Sequence, residues 1–292
     1  MKDILIIGGF NWLGFELTKF VINNNMFSNI IIVDVLKDFL LKDNKTKNQF
    51  DEYAHLYEQN IFMYNINIKD KGELSEIYKK HNIKSVINNV KFKYNLSDTE
   101  TIFLLDGYKN IVKFNDYYSI SQYIYITRTY THEKLLFNLR KNDNLIEKNF
   151  EFNERTLLIN ENKGHYVNIP DYIYGNKCYD SNNILYKLTN IIKIKSPIYI
   201  PQCCAYFIHD DLLLMIIFEL LFTETNEKNV NKVINENISG PHRYIDIFNF
   251  FQSTTNNNIA IIETVDEHYN PGIPPQDIIE SSLLGKYIKS LN

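Results

Sequence analysis

Residues 3–22 read DILIIGGFNWLGFELTKFVI, and this stretch decides the fold that the sequence predicts. Residues 4–7 form a continuous apolar run, which is typical of a strand buried on both faces of a sheet. Gly8 and Gly9 end that run, and apolar residues then recur with helical spacing over residues 13–22. The chain is therefore predicted to open with a strand, a glycine turn and a helix.

The same alternation of strand and helix patterns continues over residues 1–171. Further strands are predicted at residues 29–35, 61–66, 85–90, 122–127 and 166–170, and helices at 13–22, 69–82 and 99–117. A repeated βαβ pattern favours a parallel sheet with right-handed crossovers. The predicted fold class is therefore α/β, with a doubly wound parallel sheet of the Rossmann type.

From residue 172 onward the pattern changes, and proline residues become frequent. Helices are predicted at residues 182–192, 210–222, 244–252 and 277–289, and short strands at 196–200, 232–235 and 259–264. This pattern indicates a smaller, mixed α/β lobe over residues 172–292. We expect the lobe to fold together with the first domain, with strands able to exchange between the two, and not on its own.

The composition excludes several classes of partner. The chain has 292 residues, a formal net charge of −4 and a pI near 6.0, so no basic surface for nucleic acid is expected. Three cysteines without metal-ligand spacing indicate a reducing compartment. The longest apolar run, residues 212–222, contains Glu219 and is shorter than the ~20 residues of a membrane span. A first strand so close to Met1 leaves no room for a signal peptide, and a cytoplasmic protein is predicted.

A glycine turn before a helix lets the backbone approach a bound pyrophosphate, and an acidic residue after the second strand accepts hydrogen bonds from the adenosine ribose. Asp34 lies 20 residues beyond Gly14, where that acidic residue is expected. A carboxylate there repels a 2′-phosphate, which favours NAD over NADP. Asn11 stands where a small residue is usual, and we expect it to adopt the left-handed backbone that Asn tolerates. The alternative is a nucleotide-free α/β fold that keeps the turn for packing.

The turn GGFNWLG, residues 8–14, resembles the GGxGxxG turn of the extended short-chain dehydrogenase/reductase family, which includes the nucleotide-sugar epimerases and dehydratases. Further segments resemble motifs of that family in the same order: NINIKD (65–70), SVINNV (85–90), LLDGYKNIV (104–112), YVNIPDYIYGNK (166–177), YFIHDDLLLMI (206–216) and DIIESSLLGKY (277–287). The resemblance implies an NAD cofactor and a nucleotide-activated sugar that exchange a hydride transiently. The residues it implies for the cofactor are Gly8, Phe10, Asn11, Trp12, Leu13, Gly14, Asp34, Asn67, Ile68 and Asn89.

The family's catalytic pair, Tyr-x-x-x-Lys, is missing from its usual place in the helix before strand six. With Glu154 aligned to the glutamate of that helix, Ile146 and Phe150 occupy the two positions, and neither side chain can transfer a proton. The chain's only Tyr-x-x-x-Lys is Tyr130 to Lys134, directly after strand five. A Lys four residues after a Tyr shares its helical face and lowers the pKa of the Tyr, so this pair is a catalytic candidate.

Thr127 is the candidate for the Ser or Thr that the family places after strand five. In the alternative reading, Tyr130 is the tyrosine of the strand-five V-Y-G signature and has no catalytic role.

Arg243 is the candidate for binding a substrate diphosphate, because Arg makes bidentate contacts with phosphate, and a solvated surface residue is the other reading. Asp210 or Asp211 is expected to be the N-cap of the apolar helix that follows. The histidines show no ligand spacing, and no metal is predicted. The family often dimerises through the helices beside strand five. The apolar residues that would suit such a pair, or burial against the sheet, are Phe103, Leu104, Ile111 and Phe114.

Three functional hypotheses remain open. The first is a working NAD-dependent enzyme on a nucleotide sugar, with Thr127, Tyr130 and Lys134 as a shifted catalytic set. The second is a pseudoenzyme that serves as a regulatory or structural binding subunit, alone as a homodimer or with a partner enzyme. The third is a scaffold that binds no ligand.

Overall fold

The computed structural model describes residues 2–24, 26–35, 60–90, 98–128, 164–169, 172–175, 198–201, 204–222, 239–255, 261–264 and 283–290. The first elements are β1 (Asp3–Ile7), α1 (Trp12–Asn23), β2 (Ile30–Asp34), β3 (Ile61–Asn65), α2 (Lys71–Lys80), β4 (Ile83–Asn88), α3 (Asp98–Tyr117), β5 (Gln122–Arg128) and β6 (His165–Ile169). All six predicted strands of this part and the helices predicted at 13–22, 69–82 and 99–117 are confirmed, whereas the helix expected before strand six, at about residues 149–164, lies outside the described residues apart from its last residue.

Six strands form one sheet in the order β3-β2-β1-β4-β5-β6. β1 pairs in parallel with β2 and with β4, β2 pairs in parallel with β3, and β4 with β5. This strand order is that of the Rossmann fold. The predicted fold class is confirmed.

The continuous apolar runs of the sequence belong to the centre of this sheet. Every residue of β1 is buried, and so are four of the five residues of β2. β3, at the edge of the sheet, has partly buried residues in its middle and an exposed last residue. A strand covered on both faces needs apolar side chains at every position, which explains why the pattern was readable.

Two helices begin directly after an Asn or Asp N-cap. Asn11 is the N-cap of α1, and Asp70 is the N-cap of α2. The Oδ1 atom of Asp70 accepts the N–H of Glu73 at 3.1 Å, so one of the unpaired amides of the first turn of α2 is satisfied. In α3, Ile111 and Phe114 are buried in the core that packs on the sheet. Of the two readings of these residues, burial against the sheet is therefore the observed one, while the side chains of Phe103 and Leu104 lie outside the described set.

The later elements are β7 (Tyr172–Tyr174), β8 (Ile198–Pro201), β9 (Cys204–His209), α4 (Asp210–Phe222), β10 (Ser239–Arg243), α5 (Tyr244–Thr255), β11 (Ile261–Thr264) and α6 (Leu283–Ser290). They include a three-stranded sheet, β10-β9-β7, and a parallel pair, β11 and β8. Three predicted helices correspond to α4, α5 and α6, and two predicted strands to β8 and β11. The helix predicted at 182–192 and the strand at 232–235 lie outside the described residues.

Strands β7, β9 and β10 were not predicted. β9 runs directly into α4 without a turn, so its apolar residues merge with those of the helix. β10 contains Gly240 and Pro241, which argue against a strand, but an edge position in the sheet tolerates a proline.

The chain divides into two compact units, one drawn from residues 1–127, 143–167 and 216–233 and the other from 128–142, 168–215 and 234–292. The domain boundary at residue 171 stays a prediction. No helix in the described part of the chain is both long and apolar enough to cross a membrane.

Candidate functional site

Polar residues meet at the carboxyl edge of the sheet, where its central strands end side by side. Ile7 pairs with Val33 of β2 and with Asn88 of β4, and Asp34 pairs with Asn65 of β3. The strand order reverses between β1 and β4, and in open α/β sheets the crevice outside such a point is where ligands bind.

Gly8 follows β1 and is required there by both its backbone and its surroundings. Its φ is +72°, a left-handed conformation that side chains other than glycine rarely adopt. A Cβ atom at this position would lie 2.6 Å from the carbonyl oxygen of Asn89. The backbones that follow β1 and β4 therefore approach closely, and only glycine fits between them.

Gly14 fixes the other end of the turn. A Cβ atom at Gly14 would lie 2.5 Å from both Cα and the carbonyl oxygen of Gly9. The first turn of α1 thus packs directly on the glycine turn, which holds the N-terminus of the helix at the sheet edge. Phe10, Trp12 and Leu13, which the family resemblance implies for the cofactor, are all buried.

Asn11 does not adopt the left-handed backbone expected from the sequence. Its φ of −140° and ψ of 168° are extended, and that expectation is wrong. The residue instead caps α1, because its Oδ1 atom accepts the N–H groups of Leu13 and Gly14, both at 3.1 Å. Its Nδ2 atom donates to the carbonyl oxygen of Gly8, which ties the cap back to the turn. Asn is among the best N-cap residues, which explains how it replaces a glycine here.

Asn89 supports this arrangement from the end of β4. Its Nδ2 atom donates to Oδ1 of Asn11 at 2.9 Å and to the carbonyl oxygen of Gly8 at 3.3 Å. Its own backbone N–H donates to the carbonyl oxygen of Ile7 at 2.8 Å, and its side chain is buried. The buried side chain of Asn89 and the partly buried side chain of Asn11 therefore form one carboxamide pair, called the Asn11–Asn89 pair below.

Asp34 ends β2 and faces the turn. Its Oδ2 atom accepts the N–H of Phe10 at 2.8 Å, and its Oδ1 atom accepts the N–H of Val35 at 2.7 Å. The carboxylate is partly exposed, and each of its oxygens can accept more than one hydrogen bond. Asp34 is thus oriented by the backbone and retains the capacity to accept ribose hydroxyl groups.

Asn67 and Ile68 lie between β3 and α2, and the structure gives them different environments. Asn67 is exposed, and its Oδ1 atom accepts the N–H of Lys69 at 3.1 Å. Ile68 is buried against Gly107 of α3, where a Cβ atom would lie 2.5 Å from Cγ1 of Ile68. Nδ2 of Asn110 donates to the carbonyl oxygen of Ile68 at 3.2 Å. Gly107 and Asn110, whose role the sequence did not reveal, therefore position this loop from within the segment LLDGYKNIV.

The described part of the chain does not test the catalytic candidates. Thr127 lies in β5, and nothing is described of its side chain. Tyr130 and Lys134 lie outside the described residues, as do Ile146 and Phe150. The proton-transfer chemistry stays a prediction.

Arg243, the substrate candidate, is engaged in a bidentate ion pair. Its Nε and Nη2 atoms donate to the carboxylate of Asp246 at 2.7 and 2.6 Å, at the start of α5. A substrate phosphate would have to compete with that carboxylate. The proposed role of Arg243 stays a prediction.

The N-cap expected at Asp210 or Asp211 is not observed, because α4 begins at Asp210 itself and both residues lie in its first turn. Nδ1 of His209 and Oδ1 of Asp210 accept the N–H of Asp211 at 3.2 and 2.7 Å. The Asp210 carboxylate is 1% exposed and fills the space where Gly175 lacks a side chain. Tyr174 packs edge-on against His209, and the hydroxyl of Tyr287 donates to the carbonyl oxygen of Gly175. Through these contacts His209 and Asp210 stabilise the packing of β7, β9, α4 and α6 against one another, which gives the two residues a structural role.

No protein-family model matches the sequence, and no curated protein matches it. Solved structures do match. A dTDP-glucose 4,6-dehydratase from Bacillus anthracis, in complex with NAD, shares 12% identity over 99% of this chain and 96% of its own, with a TM-score of 0.64. The enzyme WbmG from Bordetella bronchiseptica, in complex with NAD and UDP, shares 12% identity over 90% of this chain and 82% of its own, with a TM-score of 0.65. A UDP-glucose 4-epimerase from Thermotoga maritima, with UDP-glucose, shares 11% identity over 98% of this chain and 97% of its own, with a TM-score of 0.60. At these identities the likeness establishes the fold.

The close contact between Gly14 and Gly9 predicts a sharp difference between two glycines near helix N-termini. Gly14→Ala should lower the free energy of unfolding by about 1–3 kcal/mol, because the added methyl group meets backbone atoms. Gly72→Ala, in the first turn of α2, should raise it by up to about 1 kcal/mol, because its Cβ would lie 3.5 Å from the nearest side-chain atom and alanine is the better helix former. Urea denaturation measures both, and equal effects of the two substitutions would contradict the packing described for the turn.

The hydroxyl group of Tyr174 makes the stability of the protein depend on pH in the alkaline range. Burial raises the pKa of its hydroxyl to about 12, and the negative charge of Asp210 adds to this shift. The folded state holds the proton more tightly than the unfolded state, so the stabilisation is complete below the ordinary pKa of 10.0 and is lost as the pH rises toward about 12. Tyr174→Phe keeps the ring and removes the hydroxyl, so the variant should gain stability relative to the wild type over that range. Urea midpoints at about pH 9 and about pH 11 measure this difference, and parallel changes in the two proteins would refute it.

Proposed function

We propose that this chain is an NAD-binding protein of the extended short-chain dehydrogenase/reductase family, of the nucleotide-sugar epimerase and dehydratase type. The observation that carries the proposal is the turn after β1, where Gly8 is left-handed against Asn89 and the N–H of Phe10 is bonded to Asp34. The order of motifs in the sequence supports it, and so does a fold shared with two enzymes solved in complex with NAD.

Of the two halves of NAD, the adenosine half has the more specific set of proposed contacts. Asp34 accepts the ribose hydroxyl groups in this proposal, and its charge rejects the 2′-phosphate of NADP. Asn67 and Ile68 border the adenine, as the family resemblance implies. The glycine turn and Asn89 lie beside the diphosphate in this proposal, because the turn leads into the N-terminus of α1.

Bound NAD would supply the hydride acceptor and donor for a nucleotide sugar. Thr127, Tyr130 and Lys134 are proposed to move the proton at the sugar hydroxyl, and Arg243 to bind the diphosphate after leaving Asp246. The three cysteines favour the cytoplasm. A homodimer or a partner enzyme remains part of the proposal, but Ile111 and Phe114 do not carry it because both are buried in the core.

The second candidate function is a binding subunit without catalysis. It is favoured by Ile146 and Phe150, which align with the family's Tyr and Lys and can neither donate nor accept a proton. In that case the turn binds the nucleotide for stability or recognition, and the chain regulates or supports a partner.

Asp34→Asn tests the cofactor proposal with little change in shape. The amide oxygen can still accept the N–H of Phe10, whereas the hydrogen bond from the N–H of Val35 and the negative charge toward the ribose are lost. We expect NAD to bind about tenfold more weakly in isothermal titration and the preference for NAD over NADP to narrow. Asp106→Asn, an exposed residue paired with Lys109 on α3, is the matched control and should leave NAD binding unchanged. NAD affinity that is the same in Asp34→Asn and wild type would contradict the proposal, and an absence of heat and of thermal shift in the wild type would favour the scaffold.

Turnover of UDP-, GDP- and dTDP-sugars distinguishes the enzyme from the binding subunit. If the chain is an enzyme, product formation should occur and should fall by at least about 100-fold in Tyr130→Phe, which removes the proposed proton-transfer group. Lys134→Met provides an independent check on the same pair. A chain that binds NAD but converts none of these sugars supports the binding subunit.

A further inference from the structure

We infer that the Asn11–Asn89 pair determines which part of a nucleotide the turn binds tightly: the pair occupies donors that a diphosphate needs and makes the site selective for adenosine over diphosphate groups. The inference rests on the proposed function, because it concerns the same turn. It adds a specificity-determining role for Asn11 that the glycine of the family motif cannot have.

The donors of the turn are largely satisfied within the protein. A diphosphate at a helix N-terminus is bound by backbone N–H groups that have no partner inside the helix. In α1, Leu13 and Gly14 donate to the side chain of Asn11, and Phe15 donates to its carbonyl oxygen at 2.9 Å. Two further N–H groups of the turn are engaged, since Gly8 donates to Val33 and Phe10 donates to Asp34.

The geometry around Oδ1 of Asn11 resembles that of an anion site. Three N–H donors converge on this one oxygen: the backbone amides of Leu13 and Gly14 and the side-chain amide of Asn89. The opposite orientation of the carboxamide would place its NH₂ group against those three donors and is excluded by the network. The Asn11 oxygen therefore stands where a phosphate oxygen would receive the same hydrogen bonds.

Asn89 makes displacement of that oxygen costly. Its side chain is 4% exposed, and it donates both to Asn11 and to the carbonyl oxygen of Gly8. If Asn11 moved aside for a phosphate, its Nδ2 bond to Gly8 would also break. A diphosphate must therefore replace an internal network before it gains contacts of its own, whereas adenosine meets Asp34 without that step.

Titration of NAD, ADP and adenosine into the wild type and Asn11→Gly tests this selectivity. Glycine at an N-cap keeps most of the helix stability and leaves the amides of Leu13 and Gly14 without the side-chain acceptor. We expect Asn11→Gly to bind NAD and ADP about tenfold more tightly than the wild type and adenosine equally well. Asn24→Gly, at the exposed C-terminal end of the same helix, is the matched control and should leave all three affinities unchanged.

Asn11→Asp provides a second variant with the opposite expected sign. A carboxylate caps the helix as well as Asn does, although it cannot donate to the carbonyl oxygen of Gly8 as Nδ2 of Asn11 does. Because its charge repels a diphosphate, NAD and ADP should bind at least about tenfold more weakly, while adenosine binding is retained. If Asn11→Gly does not fold, the affinities of Asn11→Asp for NAD, ADP and adenosine test the inference on their own.

The outcomes separate the inference from the proposed function. NAD and ADP affinities that are unchanged in Asn11→Gly and Asn11→Asp, together with weakening in Asp34→Asn, would overturn the inference and leave the cofactor proposal standing. If neither the wild type nor any variant binds NAD, ADP or adenosine, both are overturned.

Discussion

The arrangement of the site depends on one close approach, between the backbone after β1 and the backbone after β4. At this point Gly8 faces the carbonyl group of Asn89 with no space for a side chain, and its left-handed φ turns the chain out of the sheet. Because the turn leaves the sheet there, α1 starts directly above the sheet edge and Gly14 packs on Gly9. The positions of Asn11, Asp34 and Asn89 relative to one another follow from that geometry.

A helix N-terminus next to a glycine turn can satisfy its amides in two ways, with a ligand or with its own side chains. A glycine in the middle of the turn leaves this task to the ligand, whereas Asn11 performs it within the protein. The cap stabilises the ligand-free turn, and for the same reason it reduces what a diphosphate gains on binding. Stability of the empty site and affinity for the anion are therefore opposed at this one residue.

The sequence predicted the parts of the fold that follow from periodicity and missed those that follow from tertiary contact. The buried runs of β1 and β2 and the spacing of α1 were readable because burial on both faces demands apolar residues throughout. The conformation of Asn11 could not be predicted from local sequence, because its role as an N-cap is supported by a hydrogen bond from Asn89, which is 78 residues away. In the second half of the chain, β10 was not predicted because it contains Gly240 and Pro241. A strand can include a proline at the edge of a sheet, and the sequence alone does not show that β10 lies there. The candidate turn could thus be located from the sequence, but its internal hydrogen bonding could not.

Asp34 links the glycine turn to β2 through both of its carboxylate oxygens. Its Oδ2 atom accepts the N–H of Phe10 and its Oδ1 atom accepts the N–H of Val35, whereas an amide side chain has only one oxygen to offer. At the other polar positions of this sheet edge, 67, 88 and 89, the chain has asparagine, and Asn11 in the turn follows the same preference. The carboxylate at residue 34 therefore builds the turn together with the glycines, and asparagine would leave one of the two N–H groups facing an NH₂ group. Because the carboxylate is partly exposed, its oxygens retain lone pairs, and in the proposed function a ribose would use this remaining acceptor capacity.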